Sequence, residues 1–80
     1  MKFLFHTIIA FNTIPVYYNV LKIKKDHYFL EVLENPGRAK EAEDFILTGV
    51  DGEWECSIVM NERQVQVLVE EVVQKINSSA

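Results

Sequence analysis

Apolar and polar positions alternate along the first sixty residues at a period of two and along the remainder at a helical period, which divides the chain into a sheet-forming part and one helix. After Lys2 comes an apolar run from Phe3 to Phe11, with Phe3, Phe5, Thr7, Ile9 and Phe11 on one side and Leu4, Ile8 and Ala10 on the other. A strand apolar on both faces needs cover on both. The run is far shorter than the ~20 residues that span a bilayer. His6 and Thr7 interrupt it and no small-x-small cleavage site follows, so a strand is favoured over a targeting segment.

Pro15 separates this segment from the next, because proline cannot donate to a ladder and holds its predecessor extended. Val16 to Lys24 and His27 to Glu34 are rich in β-branched and aromatic residues, and Lys25-Asp26 between them predicts a hairpin. A two-residue loop there sets Ile23 opposite Tyr28, Leu21 opposite Leu30 and Asn19 opposite Val32. The other face then pairs Lys22 with Phe29, Val20 with Glu31 and Tyr18 with Leu33. Asn35-Pro36-Gly37 ends the hairpin. The charged stretch from Arg38 to Asp44 reads as a loop with a helical turn, Ala39 and Ala42 facing inward.

Phe45 to Val50 and Glu53 to Met60 flank Asp51-Gly52, the preferred dipeptide of a tight hairpin turn whose two central residues need positive φ. With those two as the loop, Phe45 opposes Ile58, Leu47 opposes Cys56 and Gly49 opposes Trp54, while Ile46, Thr48 and Val50 meet Ser57, Glu55 and Glu53. Asn61 then caps a helix, Gln64 completes a capping-box pattern, and Met60 and Val65 sit as a hydrophobic staple. Val65, Leu68, Val69, Val72 and Ile76 recur at helical spacing against a charged and amide-bearing remainder, and Asn77-Ser78-Ser79 ends the pattern. The fold class read from these elements is α+β: one domain over residues 1–80, an antiparallel sheet of four to five strands, and one C-terminal amphipathic helix packed on one face.

Composition sharpens the picture in two places. The chain is 49% hydrophobic, high for so small a body, so part of the apolar surface is expected at an interface. Its net charge of −4 argues against general affinity for phosphate backbones. That charge is divided unevenly: residues 1–40 carry six positive and three negative groups and residues 41–80 carry two and nine. Cys56 is the only cysteine, and a lone thiol fits a reducing, cytoplasmic setting better than a disulfide-stapled secreted one.

Candidate chemistry is thin. Cys56 falls on the apolar face of its strand, where a thiolate is disfavoured. His6 and His27 are not at ligand spacing from Cys56 or from each other, and the acidic turn Asp51, Glu53, Glu55 lacks the loop pattern of a calcium hand. The three glycines form neither a Walker-type loop nor a dinucleotide fingerprint. No catalytic residue, metal site or cofactor is expected, and the chain is read as non-enzymatic.

One helix covers one face of a sheet, and in the registers above Tyr18, Val20, Phe29, Leu33, Ile46, Val50 and Val59 fall on the other. This predicts a homodimer or a protein partner on that face, or the N-terminal strand packed over it. The alternative is a single-stranded nucleic-acid module, in which Lys22, Lys24 and Lys25 track a backbone and Tyr28 and Phe29 stack on bases. Net acidity makes nucleic acid the less favoured partner.

Overall fold

A computed structural model describes residues 1–78, with side chains through Ile76. Five strands, β1 (Lys2–Phe11), β2 (Ile14–Lys24), β3 (His27–Glu34), β4 (Phe45–Val50) and β5 (Glu53–Cys56), precede one helix, α1 (Glu62–Ser78). Ser79 of the expected helix stop lies outside the described residues. All neighbouring strands are antiparallel and the order in the sheet repeats the order in the chain. The α+β architecture expected from the two periodicities is therefore the one found.

Tight turns make this meander possible. Asp51 and Gly52 take φ of 52° and 81°, the left-handed pair that matches the twist of a two-residue hairpin. Asn12 and Thr13 do the same at 50° and 69°, so β1 and β2 form a hairpin where Pro15 suggested a break. Proline is tolerated because Phe11 and Ile14 close the turn and Ala10 opposes Pro15. In antiparallel alternation Pro15 thus belongs to a non-hydrogen-bonded pair, and its missing N–H points away from β1. On that side β3 has already ended, since Glu34 pairs with Tyr17. β1 is accordingly an edge strand in the plane of the sheet and covers neither face.

The register of β2 on β3 differs by one residue from the expected one. Lys24 pairs with His27 but Lys22 pairs with Tyr28, so Ile23 is an extra residue on β2, the arrangement of a β-bulge. Leu21 then meets Phe29, Val20 meets Leu30 and Tyr18 meets Val32. A one-residue offset exchanges faces. Here it brings Val16, Tyr18, Val20, Tyr28 and Leu30 together on the helix side, all buried. A second irregularity between Phe3 and Phe5 sets Phe3 opposite Leu21 and Phe5 opposite Val20, which moves Phe3 away from the side of Thr7, Ile9 and Phe11.

The core lies between the sheet and α1. The Tyr18 ring meets Phe45 edge-on at 5.5 Å, and its hydroxyl donates to the Glu43 carbonyl at 3.0 Å. Leu68 and Val72 are the buried helix residues, with Val65, Val69 and Ile76 packed at the margin. Asn61 caps as expected, its Oδ1 accepting from the Gln64 N–H at 2.8 Å. The Gln64 side chain donates to the Ala10 carbonyl, so it serves β1 where the box pattern predicted a reciprocal cap. Thr7 adds a second tie, its hydroxyl donating to Glu71 at 2.8 Å. The helix approaches both edge strands, β1 and β5, so the sheet curls around it.

Residues 35–44 form a loop with no helix but a turn at Ala39, whose carbonyl accepts from the Ala42 N–H at 3.3 Å. Asn35 grips both backbone groups of Ala39, at 2.9 and 3.0 Å, which turns Ala39 into the core as expected. Asp44 Oδ1 then accepts from the Val32 N–H at 2.8 Å, standing in for the next rung of the β3–β4 ladder.

Candidate interaction surfaces

The face of the sheet away from α1 carries a cross-strand apolar row. Phe3 opposes Leu21, Leu21 opposes Phe29 and Phe29 opposes Ile46, one large side chain on each of four adjacent strands. Neighbours in such a row have Cβ atoms about 5 Å apart and touch. Phe3 is 49% exposed and Ile46 39%, so the row is open to solvent at both ends. Polar rows flank it: His6, Asn19 and Glu31 on one side, His27, Thr48 and Glu55 on the other. Asn19 Nδ2 donates to Glu31 at 3.2 Å, and the Phe3 and His6 rings lie 4.9 Å apart.

Of the residues expected on this face, Phe29, Ile46 and Val50 are there, and Leu33 is half exposed at a further register shift near the end of β3. Tyr18 and Val20 are not: both are fully buried on the helix side, because the Ile23 bulge reverses the face on which they lie. Val59 is 99% exposed but sits between β5 and α1, off the sheet. Phe3 and Leu21, which complete the row, were not expected on it, and only the two bulges put them there.

The lysine-aromatic constellation is taken apart by the same register. Tyr28 points toward the helix, is 4% exposed and lies against Trp54 with ring centroids 6.2 Å apart. Phe29 lies on the opposite face, Lys24 and Lys25 stand at the hairpin tip, and Lys22 pairs across from the buried Tyr28. No one surface presents these groups together for a strand of bases.

A second surface lies on the helix side. Between β5 and α1 runs an open groove of about 570 Å³. Trp54, Cys56, Ile58, Met60, Val65 and Val69 give it apolar walls, and the charged residues among its lining, Glu55, Glu62 and Glu70, are all acidic. Burial pushes the Cys56 thiol up, away from the reactive thiolate. Burial, with Asp26 second, also raises the Tyr28 hydroxyl. Among the described residues no group of three or more His, Cys, Asp or Glu side chains could hold a metal ion, and no helix is long and apolar enough to cross a membrane. Compared with known proteins, the chain matches no family model, no curated protein and no solved structure.

Proposed function

We propose that this chain is a small non-enzymatic interaction protein that self-associates through the sheet face left uncovered by α1. The observation that carries the reading is the row Phe3, Leu21, Phe29 and Ile46 across four strands. A solvent-facing sheet surface ordinarily presents polar side chains, and a continuous apolar row bordered by polar ones is the composition of an interface core and rim.

A second copy suits this face by symmetry and by charge. A two-fold axis lying in the interface parallel to the strands sets β1 and β2 of one copy over β4 and β5 of the other. The basic half of the chain, residues 1–40, then meets the acidic half, residues 41–80. Glu53 and Glu55 project on this face, opposite the side bearing Lys24.

Light scattering tests the proposal at about 1 mM, where even an association worth ~4 kcal/mol is half formed. The expected mass lies well above the 9.3 kDa of one chain and rises toward twice that value with concentration. Ile46→Glu, which alters an exposed side chain, is expected to return the single-chain mass with an unchanged far-ultraviolet circular dichroism spectrum. A wild-type chain that stays at single-chain mass, or a pair that survives Ile46→Glu, refutes it.

A further inference from the structure

We infer that the groove beside β5 is a peptide site, which adds an extended segment of alternating apolar and basic residues as a sixth strand. Three features converge on that ligand: a free strand edge, an apolar trough beneath it, and an acidic flank.

The edge comes first. Val50 pairs with Glu53 next to the two-residue turn, so hydrogen-bonded and non-bonded pairs alternate outward from there. The Ser57 N–H donates to the Ile46 carbonyl at 3.0 Å and the Gly49 N–H to the Asp26 carbonyl on the β3 side at 2.8 Å, both in phase with that alternation. Trp54 and Cys56 therefore turn their N–H and C=O groups away from β4, toward open space. The other edge of the sheet is occupied in part: Gln64 takes the outward carbonyl of Ala10, and Glu71 binds Thr7. β5 is the edge left for a partner.

Side-chain alternation then sets the ligand's chemistry. A strand laid along β5 sends every second side chain to the helix side, into the trough between Trp54, Cys56, Val65 and Val69. Those positions call for apolar groups. The intervening side chains emerge on the outer face beside Glu53 and Glu55, which point there from β5. Those positions call for lysine or arginine, since opposite charges across a strand pair attract and like charges repel. Glu62 and Glu70 on the helix rim of the groove add to the preference.

The groove itself lies on the helix side, but Glu53 and Glu55 also border the self-association face. The test therefore keeps the two apart by using Ile46→Glu, which leaves the outer face of β5 uncovered, alongside the wild-type chain. The probe is a fluorescein-labelled seven-residue peptide alternating lysine and valine, read by anisotropy at low salt. Its comparators are a glutamate–valine alternation and a block peptide with the valines together and the lysines together. The alternating lysine peptide is expected to bind Ile46→Glu about tenfold tighter than either comparator, and to bind the wild-type chain no tighter, since a second copy there covers the outer face of β5. Its binding is expected to protect the Trp54 and Cys56 amides from hydrogen exchange. The double variant Glu53→Lys, Glu55→Lys is expected to invert the preference in favour of the glutamate peptide. Equal binding of the block peptide overturns the inference, because charge alone would then suffice. Protection at β1 in place of β5 overturns it, as does absence of binding. So does open-ended association of the wild-type chain that the peptide fails to dissolve, because β1 of another copy would then be filling the edge.

Discussion

Gly49→Ala is a substitution whose effect can be worked from the contact it disturbs. A Cβ built on Gly49 would stand 2.9 Å from Cη2 and Cζ2 of Trp54 and 3.0 Å from Cε2, where ordinary contact begins at 3.4 Å. The indole must therefore retreat by about half an ångström. Its route is limited, because the Tyr28 ring lies beside it at 6.2 Å between centroids and Tyr28 is itself packed in the core. Overpacking of this kind costs about 1–3 kcal/mol, while alanine recovers about 0.5–1 kcal/mol of backbone entropy that glycine loses in a strand. The net loss is about 0.5–2 kcal/mol, or roughly 4–8 °C in Tm for each kcal/mol in a domain this small. Thermal unfolding followed by the fluorescence of the only tryptophan reads both the stability and the displaced ring. Gly52→Ala separates contact from conformation: nothing stands within 4 Å of its added Cβ, but φ is +81°. That variant is expected to lose about 1 kcal/mol through backbone strain with the folded-state emission unchanged. If Gly49→Ala leaves Tm equal or higher, the indole is not seated on the glycine and the assignment of the groove wall to Trp54 fails with it.

Two further outcomes follow from particular side chains. Burial, then the Asp44 carboxylate, pushes the Tyr18 hydroxyl from 10.0 up to about 12. Below pH 10 it is protonated folded and unfolded alike, whereas between pH 10 and 12 only the unfolded chain ionises, so stability falls with rising pH by up to about 2 kcal/mol. Urea titrations across that window should lose most of this slope in Tyr18→Phe, with a remainder of the same sign from Tyr28; an identical slope in both chains contradicts the burial argument. Thr13 is a β-branched residue at φ 69°, where an L side chain is strained by about 1–2 kcal/mol. Thr13→Gly is expected to raise the urea midpoint at constant m, by about 0.5–1 kcal/mol after the added freedom of the unfolded chain is deducted; a lowered midpoint would show the turn to be held by the threonine side chain.

How far the sequence could be read depended on whether each decisive interaction was local. α1 was legible because Val65, Leu68, Val69, Val72 and Ile76 recur in steps of three and four that the period of a strand would scatter over both faces, and Asn61 supplies the cap within three residues. The β4–β5 register was legible because Asp51-Gly52 permits one tight turn, and pairing counted outward from it puts Trp54 over Gly49. The β2–β3 register was not, because a bulge leaves no mark in the alternation of the strand that holds it. A register set from Lys25-Asp26 without the Ile23 bulge exchanges the faces, which puts Tyr18 and Val20 outside and keeps Phe3 and Leu21 out of the row. Asn12-Thr13 escaped for another reason: without a glycine the dipeptide gives little turn signal, and Pro15 suggested an interruption. The uncovered face was expected, but which residues build its apolar row is a property of two irregularities that only the assembled sheet reveals.

Because the strands lie in the sheet in the order they leave the chain, each pairing closes only a short loop, whereas the ties from Thr7 to Glu71 and from Ala10 to Gln64 close nearly the whole chain. Loop entropy grows logarithmically, so closing some sixty residues costs about 3 kcal/mol more than closing two. Contact order is thus low within the meander and concentrated at the docking of α1, which makes the helix the element expected to arrive last in folding and to leave first in partial opening. Its departure would bare the whole inner surface of the sheet while the ladders stayed intact, so the same tie that completes the fold also marks where it comes undone.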